Sequence, residues 1–299
     1  MKILLTGKSG QVGFELSSSL SKLGPGKVLA VGTKDCNLND IGAIRYLVRH
    51  YQPNIIVNTA AYTAVDKAES EKILAKAINE VAPCVLAEEA EKLGSLLIHF
   101  STDYVFDGSK QGAYLEEDQP NPLNIYGASK LAGELAVKNN CTQHLILRTS
   151  WVAGSHGNNF IKKILHFASN YDKMNIVNDQ FGAPTSAKLL SNLTVILIDH
   201  YLKKKKSFPF GLYHLSASGI TNWYEYACYI ISRASTLKKK FHITPGQIKG
   251  VSSSEQKRDA KRPANSVLDT SKFQKAFNIK IPNWQMGVDE ILDEICNEQ

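Results

Sequence analysis

Paired cysteines are missing from this sequence. Its five, Cys36, Cys84, Cys141, Cys228 and Cys296, are scattered, and no C-x-x-C occurs. Disulfide frameworks and zinc sites need paired spacings, so reduced, structural thiols are expected. The eight histidines form no H-x-x-x-H arrangement, and no metal site is expected. No stretch approaches the ~18 consecutive apolar residues of a membrane span. The opening run, Met1 to Thr6, is broken by Gly7 and is too short for the core of a secretion signal. It reads as a buried strand. A cytoplasmic protein without a membrane partner is expected.

Low-complexity sequence is nearly absent as well. The exceptions are two lysine runs, Lys203 to Lys206 and Lys238 to Lys240, which carry much of the net charge of +7. No aromatic platform or recognition motif accompanies them, so they read as solvated element ends rather than a nucleic-acid surface. The positive excess suits anionic small molecules. With 43% hydrophobic and 21% charged residues, the composition is globular. A chain of 299 residues is long enough for one large core or two moderate ones.

What is present is alternation. Apolar runs at Lys2–Thr6, Val28–Val31, Ile55–Asn58, Leu96–Ser101 and Leu145–Thr149 read as strands. Between them, 11–22, 41–51, 72–93 and 126–138 carry helical spacing or helix-forming composition. Pro53 and Gly94 stand as stop signals. This pattern predicts an α/β fold, a Rossmann-type doubly wound parallel sheet that binds ligand beyond the carboxyl ends of its strands. The second half is less regular. Helices are expected at 188–202, at 221–235 with Thr221 or Asn222 as cap, and at 285–295, with a strand at 212–215. We expect a dinucleotide-binding domain over 1–151, to which segments at about 186–215 return. Residues 152–299 should form mainly a smaller substrate-binding lobe.

The first turn reads Gly7-Lys8-Ser9-Gly10-Gln11-Val12-Gly13. Glycines allow the tight turn, let backbone N–H groups approach a pyrophosphate, and let helix and strand pack closely. At the end of the second strand a carboxylate would select NADH. Here Thr33 and Lys34 come first, and they suit a 2′-phosphate. NADPH is expected over NADH, although a register shift of a residue or two would bring Asp35 into play.

Tyr126-Gly127-Ala128-Ser129-Lys130 is a Y-x-x-x-K pattern. On a helix, positions four apart share a face. A lysine cation beside a tyrosine stabilises its phenolate and should lower its pKa, which helps the phenol donate its proton to a developing alkoxide. Ser101-Thr102-Asp103 follows the fourth strand, where this architecture places its active site. Thr102, Tyr126 and Lys130 are the expected catalytic residues, with Lys130 also on the cofactor ribose.

These segments resemble the extended short-chain dehydrogenase/reductases, and within them the dTDP-4-dehydrorhamnose reductases. The resemblance is carried by the glycine turn and by Asn58-Thr59-Ala60-Ala61-Tyr62-Thr63-Ala64-Val65-Asp66-Lys67-Ala68-Glu69. Further support comes from Ser101-Thr102-Asp103-Tyr104-Val105-Phe106-Asp107-Gly108, Arg148-Thr149-Ser150-Trp151, Gly157-Asn158-Asn159-Phe160, Asp179-Gln180-Phe181-Gly182-Ala183-Pro184-Thr185 and Gly211-Leu212-Tyr213-His214. It implies NADPH-dependent reduction of the 4-keto group of dTDP-4-dehydro-L-rhamnose to dTDP-L-rhamnose. It places Gly10, Gln11 and Val12 on the pyrophosphate, Ala61, Tyr62 and Thr63 along the cofactor, and Asn37 and Leu38 beside the adenine. Thr102, Asp103, Trp151 and Asn159 would meet the sugar nucleotide, a small dTDP-sugar, and Arg258 or Arg262 its diphosphate.

Some members of the family dimerise through a magnesium ion held by glutamates. Glu15 is present, but Lys188 stands where a second ligand is expected, and its cation would repel the metal. No structural magnesium is expected, and the oligomeric state, a homodimer included, stays open. Two other functions also stay open: a reductase of another nucleotide-linked keto sugar, and a regulatory nucleotide-binding subunit. An intact Thr102, Tyr126 and Lys130 argues against the second.

Overall fold

The computed structural model describes residues 1–24, 26–237 and 241–297. The lysine run at 238–240 lies outside the described residues. The first half alternates through β1 (Ile3–Thr6), α1 (Gln11–Ser21), β2 (Val28–Val31), α2 (Ile41–Tyr51) and β3 (Ile55–Asn58). Three helical pieces follow, α3 (Val65–Ala68), α4 (Lys72–Lys76) and α5 (Ala82–Leu93), and then β4 (Leu96–Thr102), α6 (Ile125–Asn140) and β5 (His144–Thr149). The single helix expected over 72–93 is therefore interrupted. A π-type turn occupies Ala77–Val81. Pro83 has no N–H to give to the carbonyl four residues before it, so the hydrogen-bond register slips by one.

The second half contributes β6 (Val152–Ala153), α7 (Phe160–Asn170), β7 (Met174–Val177), β8 (Phe181–Gly182), β9 (Thr185–Ser186) and α8 (Ala187–Lys203). It continues with β10 (Gly211–His214), β11 (Thr221–Asn222), α9 (Trp223–Thr236), β12 (Ile248–Val251), α10 (Ser271–Phe277) and α11 (Trp284–Asn297). Asn222, rather than Thr221, caps α9, accepting from the Glu225 N–H at 2.8 Å. Sequence periodicity gave no sign of α7 or α10, or of the short strands.

The main sheet runs β10-β5-β4-β3-β1-β2, with every neighbouring pair parallel. Successive strands lie on opposite sides of β1, so the strand order reverses there and opens a crevice at its carboxyl end. Side chains alternate across the sheet. Ile3 and Leu5 face Leu16, Leu20, Leu190 and Leu197 of α1 and α8. Leu4 and Ile56 face Ile44, Val48, Val85 and Leu86 of α2 and α5. A separate core joins Ile161 and Ile164 of α7, Tyr226 and Ile230 of α9, and Trp284 and Leu292 of α11.

Candidate active site

A cleft of about 490 Å³ opens at the carboxyl ends of β1, β2, β3 and β4. Its floor is the glycine turn. Gly7 has φ +82°, and a Cβ there would stand 2.7 Å from the backbone N of Ala60. A Cβ on Gly13 would stand 2.0 Å from the carbonyl oxygen of Gly7. Helix α1 begins at Gln11 with no side-chain cap from Gly10. Its first N–H groups and the positive end of its dipole therefore face the cleft, which is the arrangement that binds a pyrophosphate. These residues fit a dinucleotide.

Most of the expected cofactor residues meet here. Gly7, Gly10, Gln11, Val12, Thr33, Asn37, Leu38, Ala61, Thr63, Tyr126 and Lys130 all line the cleft. Gly13 sits one layer behind, packing α1 onto the turn. Lys34 is exposed beside Thr33 and is not part of the lining. Tyr62 also turns away. Its hydroxyl donates to Glu71 at 2.6 Å, while its backbone N–H and carbonyl are both held by the Asn79 amide. The sequence reading missed several lining residues, among them Ile78, Thr149, Val152 and Asn158. Asn79 was missed too. It is fully buried in the π-type turn, and a polar residue inside an Ala-rich helical run was its one signal.

Gln11 does more than line the floor. Its Oε1 accepts from Gly154 N at 2.8 Å and from Asn159 Nδ2 at 2.9 Å. The Asn159 amide also donates to the Gly154 carbonyl and caps α7 by accepting from Lys162 N. Asn159 is 8% exposed. The expected sugar contact is corrected here, because both ends of the Asn159 amide are spent within the protein.

Asn124 caps α6, accepting from Gly127 N at 2.8 Å, and this sets Tyr126 in the helix's first turn. Tyr126 lies beside Thr102, whose Oγ1 donates to Asp103 Oδ1 at 3.0 Å. Burial raises the Tyr126 phenol to about 12, against the lowering effect of Thr102. The expected lowering by Lys130 is not found. The Lys130 ammonium instead donates to the Phe100 carbonyl at 2.6 Å. Burial lowers it to about 8, which leaves it mainly cationic at neutral pH. Tyr126 is thus held as the protonated phenol that a proton donor requires. Burial also raises the Asp103 carboxyl to about 6.

Beneath this group lies a buried ion pair that the sequence reading did not pick out. Arg148 Nε and Nη2 reach the Glu134 carboxylate at 2.9 and 2.7 Å, and Ser101 Oγ donates to it at 2.5 Å. Glu134 lies one turn beyond Lys130 on α6, and Ser101 precedes Thr102 on β4.

The substrate candidates Thr102, Asp103, Trp151, Arg258 and Arg262 lie outside the cleft's lining. Trp151 follows β5 with φ +47°, a conformation that a bulky residue adopts only under constraint. Its ring stacks on Trp223 at 3.6 Å and 11°. Tyr104 meets the Tyr126 ring edge-on at 5.7 Å. Arg262 is not available to a diphosphate in the way expected of it. Its guanidinium grips Asp66 through Nη1 at 3.0 Å and Nη2 at 2.7 Å, and it is largely buried. Arg258 is exposed, with Nη2 donating to Gln256 Oε1 at 2.7 Å.

Away from the cleft, the Lys188 ammonium stands 2.9 Å from Glu294 and 4.0 Å from Glu290. Its charge is felt at Glu15, whose carboxyl is raised first by burial and then by Glu294.

Residues 1–297 match the family described as the RmlD substrate binding domain. The chain belongs to this family. A dTDP-4-dehydrorhamnose reductase of Escherichia coli is 44% identical over 297 residues, which cover 99% of this chain and 98% of the relative. The solved structure of a dTDP-4-dehydrorhamnose reductase from Bacillus anthracis in complex with NADP matches with a TM-score of 0.88 and 32% identity. That match covers 98% of this chain and 100% of the other. A dTDP-4-dehydrorhamnose reductase from Clostridium acetobutylicum has the same TM-score, 33% identity and 99% coverage of both chains. The RmlD family match spans the sheet, the cleft and the second core together. Among the described residues, no helix is long and apolar enough to cross a membrane.

Proposed function

We propose that this chain uses NADPH to reduce the 4-keto group of dTDP-4-dehydro-L-rhamnose, giving dTDP-L-rhamnose in the cytoplasm. One observation carries the reading. The glycine cradle, Tyr126 and Lys130 line a single cleft, in a chain whose full-length relatives are named for this reaction. The division of labour follows the two cores. Residues 1–151, joined by about 186–215, hold the dinucleotide, and the remainder forms the substrate lobe.

The reduced nicotinamide supplies a hydride. Everything else falls to the side chains. Tyr126 donates its proton to the oxygen as charge gathers there, and Thr102 hydrogen-bonds the same oxygen. Lys130 holds ribose hydroxyls. Its cation lies in a buried site, where its field acts at low dielectric. Asp103 and Trp151 face the sugar, the first as a hydrogen-bond partner and the second as a flat wall. Arg258 is the guanidinium left to meet the diphosphate.

The test is NADPH oxidation, followed by absorbance, with dTDP-4-dehydro-L-rhamnose added to the purified protein. NADH, a UDP-linked keto sugar and the Tyr126→Phe variant serve as controls. Turnover that collapses in Tyr126→Phe supports the reading. Tight NADPH binding without turnover of any keto sugar overturns it.

A further inference from the structure

Two contacts in a row fasten the end of β4 to helix α6. The Phe100 carbonyl takes the Lys130 ammonium at 2.6 Å. The next residue, Ser101, gives its hydroxyl to Glu134 Oε1 at 2.5 Å. The residue after that is Thr102. Lys130 and Glu134 stand four positions apart on α6, so they share a face. Ser101 lies opposite Arg148 in the β4–β5 register, which turns both side chains toward that helix. The Arg148 guanidinium then closes on the Glu134 carboxylate, Nε on Oε1 at 2.9 Å and Nη2 on Oε2 at 2.7 Å. The Phe106 ring lies 5.0 Å from the guanidinium carbon. Lys130, Glu134, Arg148 and Ser101 are all buried.

A buried ion pair is a weak source of stability, because apolar side chains of similar volume often serve as well. What the carboxylate supplies here is charge in a buried place. Burial lowers the Lys130 ammonium to about 8, and the Glu134 carboxylate acts against that lowering. The other groups around the ammonium give it no such support. His99 of β4 is fully buried and lies within the field of Lys130. Its imidazole is held well below its usual range, first by burial and then by that ammonium, and is neutral. Its Nδ1 faces the Asn58 amide at 3.0 Å. The π-type turn contributes the neutral Asn79, which donates to Ser129 Oγ at 3.0 Å. The Asp103 carboxyl acts on Tyr126, and Arg148 is occupied with Glu134.

We propose that Glu134, steered by Arg148, is a positioning residue of the reaction. It ties the end of β4 to α6, which sets Thr102 beside Tyr126, and it supplies the negative charge that keeps Lys130 an ammonium. Glu134 itself is not part of the cleft's lining. The inference rests on the reductase reading and adds a buried residue to it.

The experiment combines two pH series on the full chain. One follows kcat/KM for NADPH-dependent reduction of dTDP-4-dehydro-L-rhamnose. The other follows NADPH affinity by fluorescence titration without sugar. The variants are Glu134→Gln, Ser101→Ala, and Glu134→Gln combined with Arg148→Met, each checked for folding by urea unfolding. In Glu134→Gln the alkaline limb that Lys130 sets should move down by about one pH unit or more, the usual effect of removing a close opposite charge. NADPH affinity should begin to weaken at the same lower pH. The double variant leaves no stranded guanidinium, and its limb should also lie below that of the wild type. It carries the test where the single variant fails to fold. Ser101→Ala keeps both charges, so its limb should stay in place while kcat falls severalfold. A limb unmoved in the Glu134 variants, with activity falling only as stability falls, overturns the proposal. A limb that moves equally in Ser101→Ala overturns it too. Absence of turnover by the wild type with any keto sugar overturns the reductase reading, and the NADPH series then decides by itself whether Glu134 sets the charge of Lys130.

Discussion

Tyr126 and Lys130 share one face of α6, yet their polar ends take different partners. The phenol lies beside Thr102, while the ammonium donates to the carbonyl of Phe100 at 2.6 Å. The two groups thus do not pair with each other. Tyr126→Phe should keep the fold and the NADPH affinity while kcat falls by about 10²–10⁴-fold, the usual worth of a positioned acid. Steady-state NADPH oxidation together with a binding titration checks this. Loss of NADPH binding in the same variant would contradict it.

Burial lowers Lys130 to about 8. Its cation is therefore lost as pH rises through that value, and kcat/KM, which reports groups of the free enzyme, should decline with it. Lys130→Met should be much slower and should lose this limb of the profile. A pH series on both proteins decides.

The Asp103 carboxyl has the opposite linkage. Its folded pKa of about 6 lies above the ordinary 3.8. Its favourable contribution to stability is complete below about pH 4 and is lost as pH rises through about 6. The group is 3% exposed, so solvent screening is slight. The stability difference between wild type and Asp103→Asn should shift against the wild type by up to roughly 3 kcal/mol across that window. Urea unfolding at several pH values measures it.

Glu134 and Arg148 are 5% and 3% exposed at the side chain. Removing one partner strands a buried charge. Arg148→Met or Glu134→Ala should cost about 3–5 kcal/mol of stability. The double variant should cost less than the sum of the two, because no unpaired charge remains. Additive losses in urea unfolding would contradict this.

Gly182 lies against the indole of Trp151, where a Cβ would stand 2.6 Å from ring atom Cε2. Gly182→Ala should displace the ring from its stack on Trp223. If Trp151 is a wall for the sugar, KM for the sugar nucleotide rises while NADPH affinity stays constant. A change confined to NADPH binding would contradict that role.

The parts of the molecule legible in the sequence share a physical reason. The strands from Ile3 to Thr149 are apolar on both faces, and the glycine turn needs a backbone that only glycine adopts. Both features are local. What could not be read depends on contacts between distant segments. Asn159 looked free to meet a sugar because nothing local shows that Gln11, 148 residues away, consumes its amide. Arg262 looked available because its partner Asp66 lies 196 residues off. The Y-x-x-x-K spacing placed Tyr126 and Lys130 on one face. It said nothing of the Phe100 carbonyl that draws the ammonium aside.

Strand β10 completes the sheet by pairing with β5 from far downstream, Gly211 lying opposite Leu145. During synthesis, β5 therefore leaves the ribosome well before its outer neighbour exists. At about 5–20 residues per second the interval lasts roughly 3–12 s. For that time the Leu145–Leu147 edge presents unpaired N–H and carbonyl groups, a template for another nascent chain. A fragment stopped at residue 151 would keep that bare edge permanently.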